Sequence, residues 1–362
     1  MRLRKILMIS VLAAIAASEC GAAEQPQLTN GKLVERSAKT GVQTAIQEIV
    51  EADRGSAWIA YSVPAIPGEH HMCCFSSTRI TGNHACCGWC RLDGRDHDVS
   101  VGNQVAGCKA TLASIVFVFI RFESGSIKQV RTFSTDCAID AAGATVYLLQ
   151  DVEPGQSVGY LESLLKRKGF EGRAESDEIL GAIAFHDGTV ANTVLERLVQ
   201  PRQPSRLRSQ AAFWIGSTRG AHGLDVLLAL IQSDQDQEFL EQAIFAVSQN
   251  EEHQRAFDEL VRLARQDARH EVREQSLFWL AQEAGHKAAG TITDAIENDP
   301  DTDVKKKAVF ALSEMPQEES VPLLIEQARK NHNPVVRKEA IFWLGQSGDP
   351  RALDFIAAIL EH

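Results

Sequence analysis

Beyond Ala17 the chain contains no apolar stretch near the roughly 18 residues that a membrane-spanning helix needs. An integral helical membrane protein is therefore not expected. The chain also lacks a basic excess. Its formal charge is −11, of which residues 171–362 carry about −12, residues 24–170 about −1 and the first 23 residues about +2. An acidic surface repels phosphate backbones, so nucleic acid is not an expected partner. A nucleophile-elbow Gly-x-Ser-x-Gly, a Walker loop and a dinucleotide fingerprint are all missing. Cysteine is absent after Cys137, so disulfide or thiol chemistry belongs to the front of the chain alone.

What the second half does have is a period. Phe213, Phe245, Phe278, Phe310 and Phe342 are separated by 32, 33, 32 and 32 residues. A repeat of that length marks a solenoid, whose units bury their apolar faces only against neighbours. Six residues before each Phe stands an apolar residue: Leu207, Phe239, Val272, Val304 and Val336. The next position is basic in Arg208, Arg273, Lys305 and Arg337, with Leu240 the exception. Two before the Phe is a small residue, and two after it an aliphatic one. Apolar entries at offsets 0, 4, 7 and 8 make one face of a helix. A second helix follows in each unit, as in Gly223–Ile231 and Ala352–Leu360. Ile179–Phe185 with Val190–Val199 reads as a degenerate first unit.

The run Val336-Arg-Lys-Glu-Ala-Ile-Phe-Trp-Leu-Gly-Gln-Ser-Gly-Asp-Pro-Arg-Ala-Leu353 resembles the HEAT-like repeat of the phycobilisome-lyase type. The resemblance covers roughly residues 175–362 and implies stacked helix pairs. It does not single out an activity, since that family holds chromophore-lyase subunits, scaffolds and a hydroxylase. Di-iron chemistry of the deoxyhypusine hydroxylase kind would imply several His-Glu pairs. This chain has one, His270-Glu271, with Ser205-Arg206, Gln237-Glu238, Thr302-Asp303 and Pro334-Val335 at the matching places. No catalytic residue and no cofactor are assigned to the solenoid.

The chain opens with Arg2, Arg4 and Lys5, an apolar stretch from Ile6 to Ala17 and then small residues, the pattern of a signal peptide over 1–23. Export to the periplasm or the extracellular space follows as an expectation, with a lipoprotein anchored through Cys20 as the alternative. Residues 24–170 have a different texture, that of a small α+β domain of antiparallel character. Helices are expected over Thr40–Ala52 and Glu153–Lys168. Strands are expected over Trp58–Val63, Ile115–Ile120, Ile127–Phe133 and Ala144–Leu149, with Glu123-Ser-Gly-Ser126 turning a hairpin.

Seven cysteines fall in this domain: Cys73, Cys74, Cys86, Cys87, Cys90, Cys108 and Cys137. In an oxidising compartment they would form disulfides, of a connectivity that spacing does not give. Ligation of zinc or copper together with His70, His71, His84 and His97 is a second reading, although the spacing fits no zinc pattern. Cys87-Gly-Trp-Cys90 admits a third, thiol exchange.

The expected architecture is an all-α solenoid of HEAT-like helix pairs, five to six repeats over 171–362, behind a disulfide-rich α+β domain. The expected role is a non-enzymatic scaffold holding another protein or peptide, with self-association through the solenoid ends as a further reading. A metal- or redox-handling front domain is the alternative function. At offset 6 the five phenylalanines lie about 120° away from offset 0. They would line the groove if these helices form its concave side, and would be core otherwise. Trp214, Trp279 and Trp343 alternate with Ala246 and Ala311 at offset 7, which is what close packing between neighbouring units requires.

Overall fold

Runs of β-branched and aromatic residues with a two-residue period build the front of the chain. The structure, a computed structural model, describes residues 25–68, 70–71, 90–92, 111–167 and 172–361. Along β3 (Ser56–Pro64) and β6 (Ile115–Glu123), Ile59, Tyr61, Val63, Val118 and Ile120 face one core. Trp58, Ala60, Phe117 and Phe119 face another. Both faces of the sheet are therefore buried, which is why these strands are apolar throughout. Ser124 and Gly125, with φ of 50° and 76°, turn β6 back into β7 (Ser126–Phe133). Positive φ at both central residues is what a two-residue hairpin requires.

The other strands are β1 (Leu28–Thr29), β2 (Lys32–Ser37), β4 (His70–His71), β5 (Thr111–Leu112), β8 (Ile139–Asp140) and β9 (Thr145–Gln150). The main sheet has the order β2-β9-β3-β6-β7. Antiparallel character holds at only one end of it: β3–β6 and β6–β7 are antiparallel, whereas β2–β9 and β9–β3 are parallel. The mixed sheet arises because β9 returns from far along the chain and inserts between β2 and β3. Helix α1 (Val42–Ala52) and helix α2 (Pro154–Leu164) follow β2 and β9, and their buried residues join the first of the two cores. Pro154 occupies the first turn of α2, where its missing N–H costs nothing.

Six helix pairs complete the chain: α3 (Arg173–Phe185) with α4 (Thr189–Leu198), α5 (Ser205–Thr218) with α6 (Gly220–Ser233), α7 (Gln237–Ser248) with α8 (His253–Gln266), α9 (His270–Ala284) with α10 (Ala289–Asn298), α11 (Thr302–Ser313) with α12 (Gln317–Lys330), and α13 (Pro334–Ser347) with α14 (Pro350–Leu360). A 3-10 turn over Gly285–Ala288 joins α9 to α10. The first helix of each pair packs on the first helix of the next. Offset 4 (Ala211, Ala243, Ser276, Ala308, Ala340) is fully buried in all five units, and the small side chains let these helices approach. At Gly216 even a Cβ would collide with the carbonyl of Ala246. Asp236, Asp301, Asn333 and Asp349 cap helices by accepting from backbone N–H groups, as residues of this kind do at helix starts.

The basic residue at offset 1 also has a structural task. Arg208 donates to the carbonyl of Val199, Arg273 to those of Asp267 and Ala268, Lys305 to that of Glu297, and Arg337 to those of Asn331 and His332. Each cation thus closes the carboxy end of the preceding second helix, where carbonyls lack intrahelical partners and the helix dipole is negative. Leu240 leaves α6 without this cap. Arg269 replaces it from the following unit, donating to the carbonyls of Ile231 and Asp234.

Candidate functional site

Nine aromatic rings form an unbroken run along the first-helix side of the stack. From the sheet outward they are Phe185, Trp214, Phe213, Phe245, Trp279, Phe278, Phe310, Trp343 and Phe342. Centroid separations along the run lie between 4.5 and 6.0 Å. Phe213 and Phe245 lie nearly parallel at 14°, as do Phe278 and Phe310 at 9°. The run repeats every two units. Each Trp packs back on the Phe of the unit before it, while Phe213 and Phe278 stack forward on Phe245 and Phe310. Ala246 and Ala311, both fully buried, leave room for this alternation.

The five phenylalanines are neither core nor free surface. Phe213, Phe245, Phe278 and Phe310 are half-buried and Phe342 is 53% exposed, whereas Phe185 and Trp214 at the sheet end are buried. The near-parallel pairs are offset, so Phe213 and Phe245, and Phe278 and Phe310, overlap only in part. The same helices carry Glu241 and Gln242 on α7, Glu274, Gln275 and Gln282 on α9, and Lys306 and Lys307 on α11. Partial burial pushes the Glu274 carboxyl above its usual range. The Lys307 ammonium lies 6.0 Å from the centre of the Phe310 ring, at the limit of a cation–π contact.

A second polar cluster joins sheet to solenoid and is sealed from solvent. His186 Nδ1 lies 2.7 Å from the carbonyl of Ala182 and Nε2 2.8 Å from Ser157 Oγ, which lies 2.8 Å from the Tyr61 hydroxyl. A carbonyl only accepts, so Nδ1 carries the proton, Nε2 accepts from Ser157, and Tyr61 donates to Ser157. Burial drives His186 down to about 4 and raises Tyr61. Arg219 donates to the carbonyls of Ala184 and His186 alongside, and burial lowers it to about 10. All three members of the chain are buried, which gives a substrate no access; the cluster ties β3, α2 and α3 together. The sequence offered one signal for it, a lone His between two helix patterns.

Of the cysteines, Cys90 and Cys137 form a disulfide with Cα atoms 5.7 Å apart, buried against the second face of the sheet. The last cysteine of Cys87-Gly-Trp-Cys90 is thus bonded to Cys137. Cys73, Cys74, Cys86, Cys87 and Cys108 lie outside the described residues, as do His84 and His97. Among the described residues no group of three or more His, Cys, Asp or Glu is arranged around a metal-sized space. His270 stands at the start of α9 with its Nε2 3.3 Å from Glu271. No helix of the described residues is long and apolar enough to cross a membrane.

A family model of HEAT repeats matches residues 291–362, the last helix pairs described above. That part of the solenoid is built of HEAT repeats. Among solved structures, the solenoid is similar to human deoxyhypusine hydroxylase at 18% identity and a TM-score of 0.25, over 56% of this chain and 77% of that one. It is also similar to the Escherichia coli protein YibA at 20% and 0.35, over 54% and 69%. A third likeness is to the complex of CpcE and CpcF of phycocyanin lyase from Nostoc sp. PCC7120 at 17% and 0.28, over 57% and 81%. No curated protein matches this chain by sequence.

Proposed function

We propose that this protein is an exported, non-catalytic scaffold that holds another protein along the first-helix side of its HEAT-like solenoid. HEAT repeats of this kind serve as protein-interaction surfaces, and the observation that carries the finer reading is the ring run. A string of half-buried aromatic rings outside the core leaves apolar area uncovered, the usual mark of an interaction surface. The strip suits a polypeptide, whose aliphatic side chains would pack against the half-buried rings. Export rests on the signal-like first 23 residues and on the Cys90–Cys137 disulfide, which persists in oxidising compartments.

The test is a bait experiment with the full chain against extract of its own cells. Phe245→Glu combined with Phe310→Glu should abolish capture of a partner retained by the unaltered bait, with the melting midpoint kept within a few degrees. Asp225→Lys, on the second-helix side, should leave capture intact. Equal capture by the ring variant would overturn the reading, and unfolding of the variant would assign the rings to the core.

A further inference from the structure

Every unit from α5 to α13 contributes one phenylalanine at the same offset, so the strip has the period of the helix stack. Packed helices stand about 8–10 Å apart. Small residues at offset 4, and Gly216 against the carbonyl of Ala246, hold these first helices close. A chain lying in register with the rings must therefore return to one face about every 9 Å. A β-strand does so every two residues, or about 6.7 Å. An α-helix needs seven residues and about 10.5 Å to come back to nearly the same line. A polyproline II helix has three residues per turn at 3.1 Å each, about 9.3 Å in all. Of the regular conformations, this one matches the strip. Phe213 to Phe342 makes four steps, about 36 Å, which about twelve residues of polyproline II cover.

The charge on the ring-bearing face changes sign along the stack. The residue four before each ring lies one turn earlier on the same face of its helix. It is Glu241 for Phe245 and Glu274 for Phe278, then Lys306 for Phe310 and Lys338 for Phe342. Glu274 is half-buried and forms no ion pair among the described residues. On α11, Lys306 shares its charge with Asp303, while the Lys307 ammonium stands 6.0 Å from the centre of the Phe310 ring. Glu339, next to Lys338, is held by the Trp343 indole at 3.0 Å. A segment laid along the strip therefore meets acid on α7 and α9 and base on α11 and α13.

We propose, resting on the ring-side reading above, that the partner docks through a proline-rich segment of about twelve residues in the polyproline II conformation. A proline at every third position lies over the rings, basic residues lie over α7 and α9, and acidic residues lie over α11 and α13. Such a segment is already extended before it binds and loses little conformational freedom on docking, which is why aromatic-lined surfaces suit it. Spacing fixes the conformation, and the two signs of charge fix which end of the segment lies nearer the sheet.

Titration of the full chain with synthetic peptides tests this, with the fluorescence of Trp279 and Trp343 in the strip as the readout. The probe is two Pro-Ala-Lys triplets followed by two Pro-Ala-Glu triplets. It should bind at least tenfold more tightly than a peptide of the same composition with its prolines gathered at one end, and than one with glycine in place of proline. Glu241→Lys with Glu274→Lys, at positions outside the core, should weaken the probe tenfold or more and shift the preference to a peptide of four Pro-Ala-Glu triplets. Equal binding of the three peptides, binding of none, or an unchanged preference in the charge variant would each overturn the proposal. The ring-side reading fails separately: if no proline-rich peptide binds while Phe245→Glu with Phe310→Glu still abolishes capture in the bait experiment, the segment class is wrong and the strip remains the docking surface.

Discussion

At the scale of single residues, His186 is the group whose chemistry departs furthest from its ordinary state. In the unfolded chain a histidine takes up a proton near 6.5, but buried among Ser157, Ala182 and Arg219 it does so only near 4. Between those values the unfolded state binds the extra proton, so stability falls as pH drops from about 6.5 to about 4, by roughly 1.4 kcal/mol per unit at most. Acids act in a different window: burial works against the Asp267 carboxylate but Arg269 holds it low, so its contribution goes only as pH falls through the acid range below its usual value of 3.8. Urea midpoints between pH 7.5 and 4.5 should therefore slope downward, and His186→Gln should flatten that slope while keeping a hydrogen-bonding side chain in place. A parallel slope in the variant would remove His186 as the cause. This junction was nearly illegible in the sequence, because His186 sits in the break between two helices and its partners Ser157 and Tyr61 come from 29 and about 125 positions earlier. The disulfide was hidden for a related reason, since seven candidates allow many pairings and only the sheet brings Cys90 to Cys137.

At the scale of helices, regularity in the sequence corresponds to regularity in packing, and the exceptions are compensated across units. The 32- to 33-residue period, the small residue at offset 4 and the basic residue at offset 1 each have one explanation in the stacked pairs. The ring run was only half legible: offsets 6 and 7 lie about 100° apart on a helix, so joining Phe and Trp into one strip needs the neighbouring unit. Strand β2, polar and at the sheet edge, gave no periodic signal, and its parallel pairing with β9 spans more than a hundred residues. Leu240 and Arg269 offer a sharp test of compensation. Arg269→Ala removes both donors to the end of α6, and hydrogen bonds involving a charged group contribute about 1.5–3 kcal/mol each. Amide exchange should accelerate at the last turn of α6 and leave the end of α10 unaffected, because Arg273 still pairs with Asp299 there. Ala246→Trp acts in the opposite sense, forcing a ring into a site where Gly216 and Ala246 already touch, and should lower stability by about 1–3 kcal/mol through overpacking. An unchanged melting midpoint would show that the alternation of Trp and Ala is not a packing requirement.

At the scale of the molecule, the change in sequence texture near residue 170 is not a division in the core. One apolar cluster runs from Val42 and Ile46 on α1, through Tyr61 and Ile120 of the sheet, to Phe355 on α14. The sheet finishes the solenoid at its first repeat: β7 packs on α3, Ile66 donates to the carbonyl of Phe185, and Asp187 donates to that of Pro64. A repeat array is stable only where its end units are covered. If residues 172–361 were expressed alone, Ile179, Leu180, Ile183 and Ala184, all fully buried in the whole chain, would lose the part of their cover that comes from the sheet and α2. Hydrophobic burial is worth about 25 cal/mol per Å², so uncovering several such side chains takes a large share of the 5–15 kcal/mol by which domains are stable. The isolated solenoid should therefore melt well below the full chain or aggregate, and adding residues 25–171 in the same polypeptide should restore one cooperative transition. Two separate transitions in the full chain, with the later one matching the isolated solenoid, would mean that the repeats stand without the sheet and that the shared core carries little energy.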